Sequence, residues 1–204
     1  GSVGQFLTEV LKPEANLSVV SAYFTIYAYN RLKNELDRIN HLRFLFGEPA
    51  FIKTLDPTRT NTKEFKIEDD KIAIPIQSRL SQKTVARECS EWIALKTDIK
   101  SMVKPNFLHG KLYLVENSNG VKEAVMGSSN FTVNGLGLGG SPNIELNMII
   151  QDRRDLEDLK NWFNELWNDN TGIVEDVKDK VLQYHEQFYI ENEPEFIYFK
   201  TLCH

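Results

Sequence analysis

Residues 109–130, HGKLYLVENSNGVKEAVMGSSN, constrain this chain more than any other stretch of its 204 residues. Two runs rich in β-formers, LHGKLYLV at 108–115 and VKEAVM at 121–126, flank ENSNG, and Asn119-Gly120 is a strong hairpin-turn signal. Side chains alternate along a strand, so His109 and Lys111 share a face. A two-residue loop at 119–120 sets His109 across from Asn130 and Lys111 across from Ser128. A four-residue loop at 117–120 sets His109 across from Ser128. Either register puts His109, Lys111, Ser128 and Asn130 on one face. A three-residue loop or a bulge breaks the arrangement, because a one-residue slip turns every side chain over. Directly opposed Cβ atoms lie roughly 5 Å apart, close enough for two side chains to grip one phosphate. Taken singly, such a histidine or lysine is more often structural or solvated. The informative part is HxK followed at hairpin distance by GSxN, a combination that can bind and attack a phosphodiester.

Downstream, NIELNMII at 143–150 alternates polar and apolar residues. Asn143, Glu145 and Asn147 share one face, and Ile144, Leu146, Met148 and Ile150 share the other. One reading is an ordinary half-buried strand with a wet polar face. The other puts Glu145 behind His109, where its carboxylate accepts one imidazole N–H, fixes the tautomer and leaves the other nitrogen to attack. Spacing alone does not choose between them.

The rest of the chain alternates strands and helices. A short helix at 3–12 ends at Pro13, and LSVVSAYF at 17–24 reads as a buried strand. Tyr29, Leu32, Leu36 and Ile39 have helical spacing, and a strand follows at 42–47. This start predicts a parallel pair with a right-handed crossover. Residues 48–71 are irregular and read as a mixed-charge surface loop. The sharper alternative is a substrate-contact insertion using Lys53, Arg59, Lys63 and Lys66. A helix at 82–95 carries the stripe Val85, Cys89 and Trp92, which predicts a buried thiol, and a strand follows near 97–103. GLGLGG at 135–140 lacks the lysine of a P-loop and precedes a strand, so it reads as a flexible connection. Asp152 caps a helix that buries Leu156, Leu159, Phe163 and Leu166. A last helix carries Val174, Val177, Val181, Tyr184 and Phe188.

HxK at 109–111, an acidic residue (Glu116) five positions after the lysine, GSxN at 127–130 and NxE at 143–145 together resemble the phospholipase D superfamily. They are most similar to its small nuclease branch, whose chains carry one motif copy each. The resemblance implies an α/β fold, a mixed, mostly parallel β-sheet flanked by helices on both faces. It implies a nuclease-like domain over residues 1–170, with 171–204 as a C-terminal helical extension. Two departures stand out. Glu116 replaces the family's usual aspartate, and there is no second HxK, since His41 begins HLR, His185 begins HEQ and His204 ends the chain. The family's active site uses two motif copies, so the resemblance implies a homodimer that pairs two His109 side chains across a twofold axis.

The family chemistry assigns roles by position. His109 is the nucleophile in one half-site and the general acid in the other, with a phosphohistidine intermediate. Lys111 and Asn130 hold the non-bridging phosphate oxygens, Ser128 supports that pocket, and Glu145 orients His109. No metal or other cofactor is implied, and the sequence has no HExxH, no paired CxxC and no clustered aspartates.

Composition narrows the setting. No apolar run approaches the ~20 residues of a membrane span, no signal peptide is evident, and two well-separated cysteines suit a reducing cytoplasm. The chain opens Gly-Ser without methionine and stops within the aromatic-rich EFIYFKTLCH, which predicts a domain cut from a longer polypeptide. Net charge is −5, but residues 152–204 carry −7 and residues 1–151 carry +2, so the acidity lies outside the motifs. Without a basic stripe, weak binding to DNA is expected from this piece alone. The leading expectation is a DNA phosphodiesterase, part of a restriction-type protein or joined to a helicase motor. A catalytically silent DNA-binding or dimerisation module comes second. A phospholipid hydrolase comes third, because such relatives usually carry both motif copies in one chain.

Overall fold

The computed structural model describes residues 1–48, 76–120, 122–140 and 143–190. Lys53, Arg59, Lys63 and Lys66 lie outside the described residues, as does the side chain of Phe188. In chain order the elements are α1 (Val3–Val10), β1 (Asn16–Ser21), α2 (Ile26–Arg31), α3 (Lys33–Leu36), β2 (His41–Phe46), α4 (Ile76–Lys96), β3 (Thr97–Met102), β4 (Lys111–Glu116), β5 (Lys122–Gly127), β6 (Asn147–Ile150), α5 (Arg153–Trp167), β7 (Val174–Asp176) and α6 (Lys178–Ile190).

The strands form one sheet in the order β6-β5-β4-β1-β2-β3-β7. β1 pairs parallel with β2, and β2 with β3, as the strand–helix–strand start requires. The other pairings are antiparallel, so the sheet is mixed but not mostly parallel. The reason is local. Helical crossovers join neighbouring strands only in β1, β2 and β3, whereas β4 and β5 are joined by a short hairpin, which forces opposite strand directions, and α5 carries the chain from β6 at one edge to β7 at the other.

Alternation along the strands divides the core into two layers. Leu17, Val19, Phe44, Phe46, Tyr113 and Val115 pack on one face, with residues of α1, α2, α4 and α6. Val20, Leu45, Leu112, Leu114 and Ala124 pack on the other, under Leu156, Phe163 and Trp167 of α5. Helices therefore cover both faces, as expected. Asp152 caps α5 by accepting from the backbone N–H groups of Arg154 and Asp155. The predicted helix through Tyr29 and Ile39 is instead two short helices broken at Leu32, although Tyr29, Leu32, Leu36 and Ile39 are all buried as their spacing requires. Cys89 is fully buried, and that burial pushes its thiol pKa up.

Two stretches pack more tightly than expected. GLGLGG is no loose connection: Leu136 is buried in the core and its carbonyl accepts the Gly4 N–H at 2.8 Å. The stretch expected as a C-terminal extension contributes to the same sheet and core. β7 pairs with β3, and Val177 and Val181 join the first layer. That docking also buries His185, 8% exposed, among Phe44, Phe46, Trp92 and Ile99, and its Nδ1 has no hydrogen-bond partner.

Burial lowers the pKa of His185 to about 4. An unfolded histidine titrates near ~6.5, so the unfolded chain binds the extra proton between these values. Stability is therefore expected to fall as pH drops from about 6.5 to about 4, by up to about 3 kcal/mol. Urea denaturation across this range checks it, and His185→Leu is expected to flatten that slope.

Candidate active site

The site gathers at one end of the sheet because of strand direction. β1 runs antiparallel to β4, and β4 antiparallel to β5. The C-terminal end of β1, the start of β4 and the end of β5 therefore meet. Val20 faces Leu112, and Lys111 faces Gly127, so Ser21, Lys111 and Gly127 are neighbours across this end. Gly47, just past β2, joins them: its N–H donates to the Ser21 carbonyl at 3.0 Å.

The hairpin register differs from both expected ones. Glu116 pairs with Lys122, which leaves five residues, 117–121, between the paired ends. Gly120, at φ 82°, donates its N–H to the Asn117 carbonyl at 2.9 Å, so the tight turn begins two residues before Asn119-Gly120. An odd loop opposes Lys111 to Gly127, not to Ser128 or Met126. The shared-face argument therefore fails as a ladder argument. Ser128 and Asn130 lie past the last paired residue of β5, and loop contacts place them instead.

Asn130 is fixed from β1. Its Oδ1 accepts the Ala22 N–H at 3.0 Å and lies 3.2 Å from Ser21 Oγ. A backbone N–H can bond only the oxygen of the amide, so this contact sets the orientation and turns the Nδ2 donors elsewhere. The next residue, Phe131, is fully buried, stacks on Phe24 with centroids 5.2 Å apart, and donates its N–H to Ser21 Oγ at 2.9 Å. Gly127 has a steric reason to be glycine: a Cβ there would collide with the Leu146 carbonyl oxygen.

Ser128 is tied to the downstream segment. Its hydroxyl donates to Glu145 Oε2 and accepts the Leu146 N–H at 3.1 Å. Asn143 Nδ2 donates to the other carboxylate oxygen at 3.3 Å. Glu145 is thus partnered by Ser128 and Asn143, and the expected bond to His109 is not formed. The physical reason is that regular pairing in β6 starts only at Asn147, so 143–146 follow the turn of GSxN. Buried Tyr113 lies near this carboxylate. Burial first, and then the charge of Glu145, raise its phenol pKa, so its hydroxyl stays a donor to the Ser129 carbonyl at 2.9 Å.

His109 is exposed on the loop before β4, and its Nε2 lies 3.1 Å from the Asn106 carbonyl. A carbonyl can only accept, so this contact puts the proton on Nε2 and leaves the Nδ1 lone pair available. Asn106 holds a left-handed φ of 56°, and its own N–H donates to Glu48 at 3.2 Å. Gly47 lets the loop cross β2, since a Cβ there would lie 2.8 Å from the Leu108 carbonyl oxygen. Lys111 Nζ donates to the His109 carbonyl at 2.8 Å. Glu116 lies at the far end of β4 and pairs with Lys160 of α5 at 2.7 Å, so it braces the scaffold. Sequence reasoning missed Ser21, Glu48 and Asn106. A serine closing an apolar run and polar residues in loops carry no signal until the fold sets them beside the motifs.

The profile of the family described as "Cardiolipin synthase, PLD-like domain" matches residues 13–167, a span that includes every candidate site residue. Comparison with curated proteins gave no match. Twelve solved protein chains match. One of them is phosphatidylserine synthase from Haemophilus influenzae Rd KW20, with a TM-score of 0.51 and 10% sequence identity over 94% of this chain and 42% of that one. At such low identity the likeness is one of fold. This chain spans less than half the length of that neighbour.

Ser21→Ala is expected to cost about 1–3 kcal/mol, because it leaves the buried Phe131 N–H without its acceptor. Denaturant unfolding measures this loss. A cost below about 0.5 kcal/mol would mean that Ser21 does not hold the GSxN turn.

Proposed function

This chain belongs to the phospholipase D-like domain family, whose chemistry is hydrolysis or transfer at phosphodiesters, and on that premise we propose that it is a metal-independent phosphodiesterase acting on DNA as a homodimer. The observation that carries this reading is the convergence of Lys111, Ser128 and Asn130 at one end of the sheet, with His109 on the adjoining loop. Lys111 supplies a cation and Asn130 a fixed pair of amide donors for the non-bridging oxygens. The unprotonated ring nitrogen of His109 attacks phosphorus, forming an N–P bond as the bond to the leaving oxygen breaks. The partner copy's imidazolium gives that oxygen its proton, then takes one from the water that releases the phosphohistidine. Glu145 acts through Ser128, whose hydroxyl it holds in place.

DNA is favoured as substrate by the similarity to the small nuclease branch and by the single HxK. A fused motor domain would supply the affinity that a chain of net charge −5 lacks. A catalytically silent module remains the alternative should His109 prove dispensable. Phospholipid is a second substrate reading, favoured by the name of the fold neighbour, phosphatidylserine synthase, and by Phe107, 57% exposed on the His109 loop. Among the described residues no helix is long and apolar enough to cross a membrane.

Cleavage of single- and double-stranded DNA in EDTA tests the proposal. Activity is expected in the parent, with a loss of about 10³-fold or more in His109→Ala and of about 10²-fold or more in Lys111→Ala. Acid-labile label carried from DNA onto the parent, and absent from His109→Ala, would mark the phosphohistidine. Hydrolysis of phosphatidylglycerol vesicles in EDTA without DNA cleavage would replace the DNA reading with the lipid one.

A further inference from the structure

A half-buried carboxylate stands behind the loop that carries His109. Glu48 lies two residues past β2, and its Oε2 accepts the Asn106 N–H at 3.2 Å. Asn106 belongs to the turn at Pro105-Asn106 and holds a left-handed φ of 56°. A residue with a side chain meets steric resistance in that conformation, so something must hold it there. Packing contributes little, because residues 103–107 are all exposed. Pro105 fixes its own φ but has no N–H, so the Asn106 N–H is the first donor the turn offers. Glu48 takes it. The carbonyl of the same Asn106 accepts the His109 Nε2–H at 3.1 Å.

We propose that Glu48 is the positioning residue for His109, and that it acts through the Asn106 turn. The orienting role that the motif pattern gives to Glu145 thus falls to a carboxylate outside the motifs. The inference deepens the phosphodiesterase reading above and rests on it for its effect on rate. Glu145 is already occupied, accepting from Ser128 and Asn143. Lys111 bonds the main-chain carbonyl of His109 and not its ring. Among the described residues, the ring's own hydrogen-bond partner is the Asn106 carbonyl. Gly47 and Glu48 therefore divide the work. Gly47 admits the loop beside Leu108, and Glu48 ties it down. Aim matters for a nucleophile, since a misplacement of about 1 Å can cost about 10²-fold in rate. A released turn lets the imidazole rotate, and its Nδ1 lone pair then faces phosphorus for only part of the time. Lys111 and Asn130 sit on other elements, so the grip on phosphate does not depend on Glu48.

Two measurements test this, and the first needs no cleavage. Long-range proton–nitrogen spectra of isotopically labelled histidine, at about pH 8.5 where an ordinary histidine is neutral, report the tautomer of His109. Its signals are assigned by their absence in His109→Ala. The parent is expected to hold one tautomer, with the proton on Nε2. In Glu48→Ala and in Asn106→Ala the two ring-nitrogen shifts are expected to move toward each other as both tautomers are averaged. Glu48→Gln, whose amide oxygen still accepts the Asn106 N–H, is expected to restore the parent shifts. The second measurement is DNA cleavage in EDTA. Glu48→Ala is expected to lower kcat by about 10–100-fold with KM within about twofold of the parent, and Glu48→Gln to recover most of the loss. Glu48→Ala/Asn106→Ala is expected to lose no more than the worse single variant, because both act through one turn. Circular dichroism confirms that each variant is folded. A parent His109 that averages both tautomers overturns the proposal. So do parent shifts in Glu48→Ala, an unchanged kcat in that variant of an active parent, or a loss confined to KM. If the shifts move as expected while no protein cleaves DNA, the DNA reading fails and the placement of His109 by Glu48 stands.

Discussion

The buried hydroxyl of Ser21 sits where the GSxN turn must be held against the end of β1. It accepts the Phe131 N–H and lies within hydrogen-bonding distance of the Asn130 amide oxygen, while the neighbouring Ala22 N–H donates to the same oxygen. Below it, Phe131 fills the core between Phe24, Phe44 and Tyr113. An apolar anchor and a polar tether thus act on adjacent residues. The anchor fixes depth, because a fully buried ring loses packing on all sides if it shifts. The tether fixes orientation, because Asn130 can satisfy a backbone donor only with its oxygen. The amide donors of a site at the protein surface are thereby oriented from inside the core.

The same end of the sheet receives the catalytic candidates from three directions. Strand β4 delivers Lys111, the loop before it delivers His109, and the segment before β6 delivers Glu145 to Ser128. Two glycines make the crossings possible. Gly47 admits the His109 loop, and Gly127 admits the Leu146 backbone. Glu116 is part of the motif in sequence but works at the other end of β4, against Lys160. With Lys122–Glu157 at 2.8 Å, it joins the hairpin to α5, so the motif's third residue braces the strand whose first end carries the candidate site.

Placing Glu145 on Ser128 changes what the carboxylate can do. On a hydroxyl, it fixes where the oxygen lone pairs point and forms no hydrogen bond with the His109 ring. His109 instead rests on a backbone carbonyl, a neutral acceptor that sets the tautomer without adding charge. Asn106 can offer that carbonyl because its backbone is left-handed, a conformation in which asparagine is enriched over other non-glycine residues.

The sequence by itself determined the identity of the motif residues, the parallel β1–β2 pair and the burial of Cys89. Each follows from local periodicity or from residue type at fixed spacing, which chain connectivity preserves. Tertiary structure decided the rest. The hairpin register depended on five residues entering the loop, and one residue's difference cannot be seen in two runs of β-formers. The antiparallel balance of the sheet depended on which strands are joined by a hairpin and which by helices. The partner of Glu145 depended on where β6 stops pairing, which alternation alone cannot reveal because NIELNMII keeps its period throughout. That same alternation predicted a buried apolar face at Ile144, Leu146 and Met148. Only the fold showed that α5 ends its cover before reaching them, because burial depends on a neighbouring element that the strand's own sequence does not encode.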